Sequence, residues 1–132
     1  MIFPAVAAGY AALLALVFAA LSAWVMAGRF RFGALHGDGG SAPLGVRIRA
    51  HANFIEYVPL ILILALLYEA SGGAPGLVHV LLAPLLVARI AHPFGMTAPA
   101  NSLRQYGCRG LSAVATLLIL VVAAVLLALR VM

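Results

Sequence analysis

Apolar residues divide the chain into four long hydrophobic segments, separated by short stretches that are polar or rich in glycine and proline. A helix needs about 20 apolar residues to cross the hydrocarbon core of a bilayer, because it rises about 1.5 Å per residue. Each of the four segments approaches that length. We therefore predict an all-α protein, an integral membrane four-helix bundle formed by a single transmembrane domain over residues 1–132, with spans at about residues 3–28, 44–70, 76–92 and 102–130.

Prolines and short polar side chains indicate where these spans bend or end. Pro59 lies inside the second span and removes one backbone hydrogen bond there, which membrane helices tolerate when neighbouring groups supply the missing bond. Pro93 follows His92 directly, so the third helix is expected to end or kink near His92. Asn101 and Ser102 have side chains suited to an N-cap, and the fourth helix is expected to begin at one of them.

The composition supports a membrane protein and excludes a soluble domain. Hydrophobic residues make up 66% of the 132 positions and charged residues 8%, with a mean hydropathy of +1.18. The net charge of +5 does not indicate nucleic acid, because the charges lie at helix ends and in loops, where they meet membrane lipids and decide topology. The single cysteine, Cys108, excludes an internal disulfide and a cysteine-based metal cluster, and no metal site is expected.

The arginines predict the orientation of the bundle. By the positive-inside rule, the first and third loops face the cytoplasm and both termini lie on the opposite side, in the cell inner membrane. Six arginines flank or follow those two loops and one lies at the opposite end: Arg29, Arg31, Arg47, Arg49, Arg104 and Arg109, against Arg130.

A polar stripe lies at the mouth of the second span. Arg49, Asn53 and Glu56 fall within about 60° of one another on a helical wheel, whereas Arg47 and His51 share a second face. A polar stripe in a membrane span must meet water, protein or a polar ligand, because each charge costs roughly 2.5 to 3.5 kcal/mol at the centre of an isolated helix. The alternative to a binding site is an interhelical network that fixes the bundle.

Further polar residues are predicted to converge on the same end. Late in the third span lie Arg89 and His92, and early in the fourth helix lie Arg104 and Tyr106. At the opposite end, Glu69 is expected to be solvated. An arginine-rich, carboxylate-poor cluster at one membrane boundary is the main functional indication of the sequence.

The run over residues 49–59, Arg-Ala-His-Ala-Asn-Phe-Ile-Glu-Tyr-Val-Pro, resembles the second-helix signature of the MAPEG family, the membrane-associated proteins in eicosanoid and glutathione metabolism. The pattern Arg-Ala-x-x-Asn-x-x-Glu-x-x-Pro is matched throughout. Residues 89–92 and 99–104 are similar to further family segments, so the resemblance covers essentially the whole chain. It implies a homotrimer that binds glutathione, as a co-substrate, between neighbouring subunits near the cytoplasmic face.

The residues also suit that ligand chemically. Glutathione carries two carboxylates, one ammonium and a thiol, so a matching site needs guanidinium groups, one carboxylate and an amide side chain. By the resemblance, the side chains that would bind the peptide are Arg49, Asn53, Glu56 and Tyr57, with His51 and Arg89 nearby and His92 lining the site.

The resemblance also implies a catalytic residue, Arg104, which would approach the glutathione sulfur. A fixed cation near a thiol stabilises the thiolate and so creates the nucleophile. Arg29 occupies a place where some relatives have a basic residue, although it is also a candidate interfacial anchor. Several catalytic relatives have a tyrosine where this chain has Met96, and Tyr106 could substitute for that phenol.

Three functions follow as hypotheses. The first is a membrane glutathione transferase or peroxidase that acts on hydrophobic small molecules or lipid hydroperoxides. The second is a non-catalytic lipid-binding or scaffold protein of the same family, which Met96 favours. The third, a small multidrug-type transporter, is ranked below both, because such transporters have an essential glutamate in the first span and this first span carries no charge.

Overall fold

The computed structural model describes residues 2–132, so the first residue of the predicted 1–132 domain lies outside the described range. The regular structure of this range is helical, and the prediction of an all-α, four-helix membrane protein is confirmed. Its elements are α1 (Ala5–Phe32), α2 (Ala42–Ala70), α3 (Pro75–Met96), a π-helical segment (Gln105–Leu111) and, continuous with it, α4 (Ser112–Val131).

All four helices are long and apolar enough to cross a membrane, with 28, 29 and 22 residues in the first three and 27 in the π-helical segment plus α4. We call the end of the bundle that holds residues 29–49 and 89–109 the Arg-rich end. The end that holds residues 2–10, 66–79 and 125–132 is the terminal end.

The central pair of the bundle is α2 and α3. Within the described residues, both pack against α1 and against α4, whereas α1 and α4 do not contact each other. The core side chains are mostly aliphatic and include Leu14 of α1, Ile61 of α2 and Leu82 of α3, each at most 1% exposed. Large apolar side chains also cover the outside, as expected for helices whose outer faces meet lipid.

Helix α3 continues past the position where the sequence predicted its end. It runs through Pro84 and Pro93 to Met96, and the Thr97 N–H donates to the Pro93 carbonyl at 3.2 Å as the helix stops. The predicted end near His92 is therefore wrong. Proline has a helical φ and removes only one N–H, so a buried helix that is packed on both sides can absorb it.

The fourth helical region begins where it was predicted. The Ser102 hydroxyl accepts a hydrogen bond from the Gln105 N–H at 3.1 Å, as an N-cap does, whereas Asn101 has a left-handed φ of 60°. The first turns after this cap are π-helical rather than α-helical. The wider helix was not predicted from the sequence, although two glycines, Gly107 and Gly110, make it easier to form.

Glu69 is buried rather than solvated, so the expectation of a solvated carboxylate is wrong. The side chain is 5% exposed, and its two oxygens accept the backbone N–H groups of Val6 at 3.0 Å and Ala7 at 2.7 Å. These are orphan donors of the first turn of α1, where the helix dipole also favours a negative charge. Glu69 of α2 thus caps α1 at the terminal end.

Candidate functional site

The polar residues of α2 emerge at the Arg-rich end and point to more than one neighbour. Arg49 and Glu56 lie on one exposed face, where Arg49 Nη1 and Glu56 Oε1 are 3.5 Å apart and the side chains are 63% and 46% exposed. Two turns of helix separate the pair, so this contact places both on the predicted stripe. The exposed charges remain accessible to a ligand or a neighbouring molecule.

Asn53, between them in the sequence, faces the interior instead. Its side-chain oxygen accepts a hydrogen bond of 2.7 Å from Arg89 Nη1 of α3. Arg89 Nη2 donates to the carbonyl of Ser112, the first residue of α4, at 3.1 Å. One guanidinium, 2% exposed, therefore joins α2, α3 and α4.

Arg89 continues the buried face of α3 toward the Arg-rich end. Leu82 and Leu85 form that face deeper in the bundle, and His92, one turn after Arg89, is 5% exposed. Gly95 follows at the same spacing, and a Cβ there would lie 2.7 Å from the carbonyl carbon of Cys108. Close packing of α3 against the π-helical segment therefore depends on a glycine at this position.

We call the contact of Arg89 with Asn53 and Ser112 the Arg89 junction. A cavity of about 220 Å³ opens between α2 and α4 beside it. Asn53 and Tyr57 bring an amide and a phenol to its wall, and α4 contributes the hydroxyl of Thr116. Its full lining is Asn53, Tyr57, Ala113, Val114, Thr116 and Leu117.

Arg104 and Tyr106 lie at the start of the fourth helical region, and each forms a hydrogen bond with a residue a few positions earlier in the sequence. Arg104 Nη2 donates to the Thr97 carbonyl at 3.2 Å, and the Tyr106 hydroxyl donates to Asn101 Oδ1 at 3.0 Å. Both residues are exposed. Among residues 2–132, no hydrogen bond connects them to the polar residues of α2.

His51 and Arg29 bond to groups on or next to α1. The His51 ring stacks on Phe18 with centroids 4.9 Å apart, and its Nε2 lies 3.0 Å from the Ser22 hydroxyl. Arg29 Nη1 donates to the Gly37 carbonyl at 3.0 Å and so fastens the loop that follows α1. The structure thus brings Asn53, Tyr57 and Arg89 together, while His51 and Arg29 lie elsewhere at the Arg-rich end.

Three residues at or next to the Arg89 junction were not predicted from the sequence. Ser112 accepts from Arg89, Thr116 Oγ1 donates to the same carbonyl at 2.7 Å, and Gly95 permits the close helix contact. The acceptor of Ser112 is its backbone carbonyl, which any residue would offer, so only the Thr116 hydroxyl within the apolar part of α4 was a signal that the sequence contained.

The four helices and this cluster of side chains together indicate the class of protein: a helical membrane protein with a polar, cation-rich site at its Arg-rich end. The chain matches the family model described as "MAPEG family" over residues 7–129. The chain belongs to the MAPEG family.

Two relatives, from two strains of Escherichia coli, are both named Inner membrane protein YecN. The protein of Escherichia coli (strain K12) is 37% identical over 90 residues, which cover 68% of this chain and 69% of that protein. The protein of Escherichia coli O6:H1 (strain CFT073) matches with the same identity and coverage. No solved structure gives a significant match.

Proposed function

We propose that this MAPEG-family protein is a membrane-embedded enzyme that binds glutathione at the Arg-rich end and transfers its thiolate to lipophilic electrophiles, or uses it to reduce lipid hydroperoxides. The observation that carries the proposal is the α2 signature over residues 49–59, which stands at the membrane boundary with its charged groups accessible. Family membership supports the ligand class.

The α2 side chains suit the peptide part of glutathione. Arg49 can bind a carboxylate through its guanidinium fork, and Glu56 can bind the ammonium. Asn53 and Tyr57 offer neutral polar groups in the cavity between α2 and α4. We assign Arg89 and His92 to the inner wall of the site, and His51 to its α1 side.

Arg104 is proposed to act on the sulfur. Its cation favours thiolate over thiol and lowers the thiol pKa, and the released proton goes to water. In transfer, the thiolate forms a carbon–sulfur bond, and the electron pair displaced from the electrophile leaves with its leaving group or is protonated. In peroxide reduction, sulfur attacks oxygen and breaks the O–O bond to give an alcohol and a glutathione sulfenic acid, which a second glutathione converts into disulfide and water.

We propose further that the active form is a homotrimer, because one chain does not complete the site. Arg49 and Glu56 are exposed, and Arg29 and Arg104 bond elsewhere in the same chain. Polar groups on a membrane helix need protein, water or ligand partners, which a neighbouring subunit would supply. Because YecN is named an inner membrane protein, we place this chain in the inner membrane, with the Arg-rich end in the cytoplasm by the positive-inside rule.

The second candidate function is a non-catalytic lipid-binding or scaffold protein. Met96 stands at the end of α3, where several catalytic relatives have a tyrosine. Nearby, a furrow of about 450 Å³ between α1 and α3 is lined by apolar groups that include Trp24, Ile90 and Phe94. Such a furrow suits an acyl chain, whether that chain belongs to a substrate or to a bound lipid.

Thermal unfolding in detergent tests the binding proposal. A ligand that binds only the folded state stabilises it by RT ln(1 + [L]/Kd), about 2.7 kcal/mol at a hundredfold excess over Kd. We expect millimolar glutathione to raise the melting temperature, and S-methylglutathione, which keeps the peptide but cannot ionise, to raise it less. No shift with either ligand would overturn the glutathione assignment.

Native mass spectrometry in mild detergent tests the assembly. We expect a trimer, and a trimer with glutathione retained when the ligand is added. A monomer under conditions in which glutathione still binds would show that one chain completes the site.

A further inference from the structure

Arg89 is a buried cation without a carboxylate partner. Its side chain is 2% exposed, and the ion pair formed among residues 2–132 is a different one, Arg49 with Glu56. Two of its nitrogens have acceptors, whereas its Nε is buried and has no acceptor in the part of the chain that the structure describes. Burying a charge without a counter-ion is costly, so a structure that keeps one there indicates a use for the positive charge.

The hydrogen bond from Arg89 fixes the orientation of the Asn53 amide. A guanidinium has N–H donors and no acceptor, so the group of Asn53 that faces it at 2.7 Å must be the carbonyl oxygen. The amide N–H₂ is then the group that Asn53 can offer to the cavity between α2 and α4, whose wall it forms. Arg89 therefore determines that Asn53 presents a donor.

Of the two other polar groups in the cavity wall, the Tyr57 hydroxyl has the same polarity and the Thr116 hydroxyl has the opposite one. The Tyr57 hydroxyl makes no hydrogen bond within the described chain and can donate. Thr116 has already donated its proton to the Ser112 carbonyl at 2.7 Å, so it offers a lone pair only. Two free donors and a nearby uncompensated cation favour an anionic acceptor in this cavity.

We propose that Arg89 is a positioning residue that sets the specificity of the cavity for one carboxylate of glutathione. It does so by holding the Asn53 amide with its N–H₂ group outward and by supplying the positive charge behind it. This inference rests on the proposed glutathione function and adds to it the part of the ligand that the cavity binds.

The sharpest variant is Asn53→Asp, which keeps the shape of the side chain and replaces the donor with an oxygen. An aspartate can still accept from Arg89 and neutralises its charge, so we expect the apo protein to keep its melting temperature or exceed it. Glutathione affinity should fall about tenfold or more, because an acceptor then faces the carboxylate. Asn53→Ala, which removes the donor without adding charge, should lose less affinity. Wild-type affinity in Asn53→Asp would overturn the inference.

Two glutathione analogues, each lacking one carboxylate, identify the group that is bound. The glycyl ethyl ester masks one carboxylate, and the γ-aminobutyryl analogue lacks the other. We expect the wild-type protein to bind both analogues about tenfold more weakly than glutathione, because Arg49 binds one carboxylate and the cavity binds the other. Asn53→Asp should lose the discrimination against one analogue and keep it against the other, and an Asn53→Asp variant that still discriminates against both would overturn the inference. A wild-type protein that discriminates against neither analogue would contradict the proposal.

A double-mutant cycle separates positioning from a general structural role. Because Arg89 acts partly through Asn53, the losses of glutathione affinity in Arg89→Met and Asn53→Ala should add up to more than the loss in the double variant: once Asn53 is gone, Arg89 has only its charge left to contribute. Additive losses would show that Arg89 acts independently and would overturn the inference. Should Arg89→Met fail to fold, Arg89→Lys serves in the cycle, because it keeps the charge and can reach only one of the two acceptors.

The two proposals fail in different ways. Absence of glutathione binding by the wild-type protein overturns the proposed function and this inference together. Glutathione binding that is unaffected by Asn53→Asp overturns the inference and leaves the function in place.

Discussion

The two ends of the bundle differ in how completely their polar groups are paired with hydrogen-bond partners. At the terminal end, the Glu69 carboxylate accepts two N–H groups of α1, and Arg130 donates twice to the Ser71 carbonyl at 3.3 and 2.9 Å. At the Arg-rich end, Arg89 retains a buried N–H that has no acceptor among residues 2–132, and the ion pair that these residues form, Arg49 with Glu56, is exposed.

This difference in pairing indicates that the polar groups of the terminal end serve stability and those of the Arg-rich end serve binding. A buried polar group that is fully paired stabilises a fold, whereas one that is left unpaired costs roughly 1 to 3 kcal/mol. Natural proteins violate such rules mainly at functional sites. The terminal end therefore closes the bundle, and the surplus donors of the Arg-rich end are available for a ligand with acceptors.

The largest expected effect is at the terminal end. Glu69→Ala removes a buried carboxylate that accepts two backbone N–H groups, so it should destabilise the protein by roughly 3 kcal/mol. Glu69→Gln, which keeps one oxygen acceptor, should cost less. Both variants should bind glutathione like the wild-type protein once folded. Unfolding midpoints and binding isotherms check this, and an affinity loss in folded Glu69→Gln would show that the ends are coupled.

The next effect is at the contact between α3 and the π-helical segment. The Cβ of Gly95→Ala would meet the backbone of Cys108 at 2.7 Å, and backbone cannot rotate away, so we expect a loss of roughly 2 kcal/mol together with weaker glutathione binding. Gly9→Ala in α1 is the matched control and should be neutral or stabilising, because among the described residues no atom beyond its chain neighbours and its own helix backbone lies within 4 Å of the new Cβ. Equal midpoints for the two variants would contradict the packing argument.

A smaller effect on stability, with a selective effect on binding, is expected for Glu56→Gln. The Arg49–Glu56 pair is exposed and 3.5 Å apart, so its loss should cost at most about 1 kcal/mol of stability. Loss of the carboxylate that binds the glutathione ammonium should nevertheless lower affinity about tenfold. Parallel losses of stability and affinity would instead favour a structural network over a binding site.

The apolar pattern was sufficient to predict four membrane-spanning helices, because hydrocarbon thickness fixes how long each must be. The end of α3 was predicted wrongly because Pro93 is a strong stop signal in isolation, whereas packing against the π-helical segment overrides it. Local pattern could not predict that Glu69 is a cap, since its partners lie 62 and 63 residues earlier in the chain.

In the candidate site, too, the positions of residues on one helix were predictable from the sequence, whereas contacts between helices were not. The stripe over residues 49–56 follows from helical geometry alone, and the exposed pair Arg49–Glu56 lies on it. The partner of Asn53 lies 36 residues away on α3, and a helical wheel of α2 cannot show that contact. The positions of His51 and Arg29 against α1 and its loop likewise depend on tertiary packing.

The central claim is that the Arg-rich end binds glutathione and ionises its thiol, and a pH titration of the bound thiolate by its ultraviolet absorbance tests it most directly. We predict a bound thiol pKa well below the free-thiol value of about 8.5, so the thiolate signal should rise at lower pH than for glutathione alone. Arg104→Leu should shift that rise back toward about 8.5 while binding persists. A wild-type complex whose thiol titrates like free glutathione would contradict the enzyme and favour the lipid-binding scaffold, whereas an unchanged titration in Arg104→Leu would show that another group activates the sulfur.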